Sequence, residues 1–151
     1  MPPIGRLRHC GMDLPPISFL PDPPAELRQA VADGINAFHA RTVPRDARSF
    51  CFAAHDDAGL AGAIFGQLAW EWMFVAGLFV TDAWRGRGLG SALLSRAEIY
   101  AAVQGCGNAW LDTFQARSFY LRHGWEVFGS LPGYPAGQTR HFMRKGLLGG
   151  S

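Results

Sequence analysis

The chain has 151 residues, 48% of them hydrophobic and 17% charged, with a formal net charge of +2. This is the length of one domain with a packed core, which argues against a disordered chain. The small charge argues against a nucleic-acid partner, the longest apolar run (Trp72 to Val80) falls well short of the about 20 residues that a membrane helix needs, and no charged-then-apolar leader opens the chain.

In chain order, residues 1–15 are aperiodic and proline-bearing and are expected to form an N-terminal extension, followed by a domain over 16–148 and a tail at 149–151. Ile17 to Leu20 is expected as a first strand. Asp22 is suited to cap a helix, with Pro23, Pro24 and Glu26 in its first turn. Leu27, Ala30, Val31, Ile35 and Phe38 then recur at helical spacing, ending near His39 to Arg41. Ser49 to Ala54 and Leu60 to Trp70 read as a hairpin around Asp56-Asp57-Ala58-Gly59, with a loop of about 4–5 residues. Glu71 to Val80 is apolar enough for a central strand.

A glycine- and arginine-rich turn, Arg85-Gly86-Arg87-Gly88-Leu89-Gly90-Ser91, leads into a helix with Leu89, Leu93, Ala97 and Tyr100 on one stripe and Ser95 and Glu98 facing away. Gly105 and Gly107 end that helix. A short strand from Ala109 to Thr113 and a helix from Gln115 to His123, stopped by Gly124, come next. Val127 to Gly129 and His141 to Leu147 are the last strands, separated by the turn-rich loop Leu131 to Gln138. The order is β-α-β-β-β-α-β-α-β-β. Only the connections across the last two helices can join parallel strands by a short crossover, so the fold class is α/β with a mixed, twisted sheet and helices on both faces.

Three cysteines, Cys10, Cys51 and Cys106, are widely spaced and form no CxxC pair. No metal site is expected, and a reduced, cytoplasmic setting is the simpler reading.

The strand–turn–helix at Val80 to Leu94 carries the chemistry. A helix start offers unpaired N–H groups and a partial positive charge, and glycines let an anion approach them. Arg85 and Arg87 add fixed charge. The segment is therefore a phosphate seat, with the amides of Arg85, Gly86, Arg87, Gly88, Leu89, Gly90 and Ser91 as donors. A Walker loop would need a lysine after the glycines, and Lys145 is the only lysine. A dinucleotide loop would need Gly-x-Gly-x-x-Gly, whereas glycines 86, 88 and 90 alternate.

Arg85-Gly86-Arg87-Gly88-Leu89-Gly90, after a strand closing on Val80, resembles the coenzyme A loop of the GNAT superfamily of acyl-CoA-dependent N-acyltransferases. Ala116-Arg-Ser-Phe119-Tyr120-Leu-Arg-His-Gly124-Trp125 resembles that family's Ala-x-x-Phe/Leu-Tyr-x-x-x-Gly-Phe segment, and the likeness runs over about residues 16 to 148. The resemblance implies a centrally splayed sheet of about six to seven strands. Edge amides of Leu78, Phe79 and Val80 would take the pantetheine arm. It also implies acetyl-CoA as co-substrate, direct attack by a primary amine, and Tyr120 as the general acid that protonates the departing sulfur. A tyrosine suits that role because its ordinary pKa, about 10, keeps it protonated.

The amine must lose a proton, and Glu71 is the candidate base, with His39 and His141 behind it. Related chains often place an acid near the position of Ala76. They also carry two more residues between Asp112-Thr113-Phe114 and Gln115-Ala116, and often an Asn where Thr113 stands. Tyr134 in the 131–138 loop, Trp70 and Trp72 are candidates for acceptor recognition. The expected partner is a small-molecule or peptide amine, with no nucleic acid or membrane, and a homodimer is plausible from the open sheet edge. The rival reading is a non-catalytic acyl-CoA-binding or regulatory domain.

Overall fold

The computed structural model describes residues 13–147. The expected tail at 149–151, Cys10 and most of the expected 1–15 extension lie outside them. The chain divides between Pro44 and Arg45 into two compact units.

The first unit holds one helix, α1 (Ala25–His39). Its N-cap is Pro24, not Asp22. Pro24 has no N–H to leave unpaired, and its carbonyl accepts from the amides of Leu27 and Arg28 at 3.1 and 3.2 Å. The segment Ile17 to Leu20 is not a strand. An apolar run of four residues can be extended, but it becomes a strand only when a neighbour takes its hydrogen bonds.

The second unit runs β1 (Arg48–Asp56), β2 (Gly59–Ala69), β3 (Trp72–Val80), a 3-10 turn (Asp82–Trp84), α2 (Leu89–Val103), β4 (Asn108–Thr113), α3 (Arg117–Arg122), β5 (Glu126–Pro132) and β6 (Thr139–Gly146). The strands form one open six-stranded sheet in the order β1-β2-β3-β4-β6-β5, flanked by helices. Only β3 and β4 are parallel, and the other four neighbours are antiparallel. The mixed α/β sheet read from the element order is therefore the one that forms. The hairpins are tighter than expected. Asp56 pairs with Gly59, so the β1–β2 link is Asp57 and Ala58 alone, and Oδ1 of Asp56 takes the Ala58 amide at 2.8 Å.

The core lies between the sheet and α2. Leu93, Leu94, Ala97 and Ala101 of α2 meet Ile64 and Leu68 of β2, Met73 and Val75 of β3, and Leu111 and Met143 of β4 and β6, all buried. Their alternation along each strand is the period of two that leaves one face for the core. Glu98, expected to face away, instead meets Lys145 of β6 at 2.6 Å.

Two irregularities shape the middle of the sheet. The β3–β4 ladder holds at three positions, from Trp72 opposite Asn108 to Phe74 opposite Trp110. Beyond them β3 runs on to Val80 without β4 beside it, so the strands splay toward their C-terminal ends. On the other side of β3, Phe65 faces Gly77 and Gly66 faces Val75, which leaves Ala76 as a bulged residue with no partner in β2. A side chain at Gly66 would collide with the Phe74 carbonyl, so the bulge requires glycine there.

Candidate active site

The phosphate loop follows the splayed end of β3. Gly86 and Gly88 hold φ values of +74° and +86°, a region that disfavours L side chains, and a Cβ on either would project into open space. Gly88 is the N-cap of α2 and carries no capping side chain. The first intrahelical bond joins the Ala92 amide to the Gly88 carbonyl, so the amides of Leu89, Gly90 and Ser91 precede it and point outward. A cavity of about 420 Å³ opens over them, lined by Val80, Trp84, Arg85, Gly86, Gly88, Leu89, Gly90, Ser91, Phe119 and Arg122.

The two loop arginines part company. The Arg85 Nε donates to the Val80 carbonyl at 3.1 Å and its guanidinium meets Asp82 at 3.1 Å, which fixes it at the lip of the cavity. Arg87 stacks over Trp84 at 4.9 Å and does not line the cavity. The Trp84 Nε1 in turn donates to Asp56 at 2.6 Å, tying the loop to the β1–β2 hairpin and holding the Asp56 carboxyl below its usual range. Arg122 is the second guanidinium at the cavity, and the sequence reading did not single it out. A signal was available. Phe119 and Arg122 are three apart and share a helix face with Ser118.

A second cavity of about 490 Å³ shares Val80, Arg85, Gly90, Phe119 and Arg122 with the first and extends along Leu78 and Phe79 to Gln115, Ala116 and Tyr120. The shared walls make one groove, from the helix start to Tyr120 through the gap left by the splay. Of the expected residues it brings together Leu78, Phe79, Val80, Arg85, Gly86, Gly88, Leu89, Gly90, Ser91 and Tyr120. Tyr120 is buried, edge-on to Phe119 and Trp125 with ring centroids 5.1 and 5.7 Å away, and burial pushes its hydroxyl up to about 12. The short link ahead of α3 is closed by Thr113, whose Oγ1 accepts from the Ala116 amide at 3.1 Å, so α3 still delivers Tyr120 to the groove.

Glu71 is not brought to this groove. It sits with Trp70 in the two-residue β2–β3 turn, at φ values of +65° and +48°, seven residues before Leu78. At about 3.3 Å per residue that is more than 20 Å along the strand. Trp70 and Trp72 are at the same far end, where they line a separate cavity with Gln67, Ala69, Phe74 and Trp110. His39 closes α1 in the other unit. His141 Nδ1 lies 3.0 Å from Ser130 Oγ, between β6 and β5, and does not line the groove. Tyr134 lies under the Arg140 guanidinium at 4.3 Å, and Arg140 is paired to Asp112 at 2.8 Å. Among the described residues, no group of three or more His, Cys, Asp or Glu could hold a metal ion. No helix among them is long and apolar enough to cross a membrane.

Comparison with known proteins agrees with this geometry. Residues 47–127 match the family described as the acetyltransferase (GNAT) domain. A blasticidin-S acetyltransferase of Streptomyces morookaense is 40% identical over 99 residues, which cover 64% of this chain and 73% of that protein. An acetyltransferase of Agrobacterium fabrum is 34% identical over 125 residues, 80% of this chain and 91% of that one. A crystal structure from Agrobacterium tumefaciens superposes with a TM-score of 0.79 at 31% identity, covering 90% of this chain and all of that one. The glycine loop at a helix start, the splayed sheet and these relatives converge, and the chain belongs to the GNAT acetyltransferase family.

Proposed function

We propose that this acetyltransferase moves the acetyl group of acetyl-CoA onto a primary amine by direct attack, with Tyr120 as general acid. The observation that carries the reading is the continuity of the groove. One end is an anion seat of free amides and two guanidinium groups, and the other end is a buried tyrosine hydroxyl. Bound in that groove, acetyl-CoA supplies the activated thioester and a diphosphate. The Leu89, Gly90 and Ser91 amides with Arg85 and Arg122 suit the diphosphate. Backbone of Leu78, Phe79 and Val80, freed by the splay, suits an extended amide-bearing arm in the manner of an added strand. Tyr120 stays protonated at any physiological pH and can hand its proton to the departing sulfur.

No carboxylate or imidazole lines the Tyr120 end of the groove among the described residues, and Ala76 stands at the bulge. We therefore assign no protein base. The amine is expected to enter neutral, its ammonium form disfavoured by desolvation in an apolar groove. An alkyl ammonium of pKa about 10.4 is only about 0.04% neutral at pH 7, so kcat/KM should climb with pH up to the pKa of the acceptor. The 40% identical relative named for blasticidin S supports a small antibiotic-type molecule as acceptor.

The test is thiol release from acetyl-CoA in the presence of a panel of antibiotic, polyamine and peptide amines. Acceptor-dependent thiol is the expected result. Coenzyme binding without thiol release for any amine would return the chain to the non-catalytic reading. Replacing Gly88 by Val, which forces a branched side chain into a left-handed position at the seat, should weaken acetyl-CoA binding at least about tenfold in calorimetry.

A further inference from the structure

We propose that His123 is a positioning residue of the phosphate seat, acting through the hydroxyl of Ser91. This rests on the reading that a diphosphate occupies the seat. Ser91 Oγ lies 2.9 Å from His123 Nε2. Ser91 is the third residue of α2 and lines the loop cavity, whereas His123, at the C-cap of α3, does not line it. The ring lies 4.7 Å from that of Phe119, and the backbone of His123 is anchored by Lys145, whose Nζ donates to the His123 carbonyl at 2.7 Å and is paired to Glu98 at 2.6 Å.

A hydroxyl has one proton to give. If Ser91 donates to a bare Nε2, its lone pairs are left facing the seat and repel an anion. If Nε2 carries a hydrogen and donates to Ser91 Oγ, the hydroxyl proton is free to turn to a phosphate oxygen. An anion in the seat therefore selects the arrangement in which Nε2 carries the hydrogen, and a side chain at 123 that donates to Ser91 Oγ leaves the hydroxyl proton to the anion.

The experiment is calorimetry with dephospho-coenzyme A at one fixed pH. His123→Gln keeps a donor for Ser91 and should bind within about twofold of the wild type, whereas His123→Leu removes the donor and should bind roughly 3- to 10-fold more weakly. Ser91→Ala should lose affinity by a similar factor, and His123→Leu added to Ser91→Ala should cost nothing further, because the histidine acts through that hydroxyl. Wild-type affinity in His123→Leu, or losses that add in the double variant, overturns the proposal. If the wild type gives no binding heat, the coenzyme reading itself fails, and this proposal with it.

Discussion

Tyr120 shows how surroundings set the protonation of one side chain. Its phenol is walled in by Phe119 and Trp125, and the loss of solvent pushes its hydroxyl up to about 12. At its ordinary value of about 10 the phenol is already almost wholly protonated at neutral pH, so this push secures the donor form while making the phenol a weaker acid. Initial rates and calorimetry on Tyr120→Phe should show kcat reduced roughly 10- to 10⁴-fold with coenzyme affinity near normal. Unchanged kcat would remove Tyr120 from the mechanism. The same burial means that turnover should show no alkaline loss from this group below about pH 11. Tyr120 was singled out in the sequence because Ala116 to Trp125 resembles the GNAT segment that carries a tyrosine there. Arg122 was not singled out, although it shares a helical face with Phe119. Arg87 was expected at the seat, but Trp84 offers it a cation–π surface that only the folded loop presents.

At the scale of elements, the β2–β3 turn is the clearest departure. Ala69-Trp70-Glu71-Trp72 has no Gly, Asn or Asp at its centre, so nothing in it signals a two-residue turn of the mirror type. The turn forms because cross-strand pairing on both sides dictates it, and Asp46 Oδ1 accepts the Trp70 amide at 2.9 Å. Glu71 is consequently held at a positive φ that costs an L residue about 1 kcal/mol. Glu71→Gly should raise stability by about 0.5–1 kcal/mol in denaturant unfolding and leave kcat unchanged. A large fall in kcat would restore Glu71 as a base. Gly86 and Gly88, by contrast, were legible as glycine positions, because each holds a positive φ and a side chain there would be strained. The bulge at Ala76 was not legible, since it depends on the close approach of the Phe74 carbonyl to Gly66 on the neighbouring strand.

Across the whole molecule, the groove exists because the sheet is buttressed on one face and open at its centre. Leu94 is fully buried between α2 and the sheet and does not line the groove. Leu94→Ala should cost about 2–5 kcal/mol in chemical unfolding through the cavity it leaves. Folded Leu94→Ala protein should keep the coenzyme affinity of the wild type. If affinity fell in step with stability, core and seat would be more tightly coupled than their separation along α2 implies.

The sequence by itself determined the α/β order from β1 onward, the glycine loop opening a helix and the tyrosine on the helix after β4. Each follows from local physics, namely periodicity, φ preference and the orphan amides of a helix start. Tertiary structure alone decided where β3 parts from β4 and which of the charged side chains reach the groove. It also decided that Ile17 to Leu20 forms no strand. These outcomes depend on which strand lies beside which and in what register, and register is fixed by side chains distant in sequence.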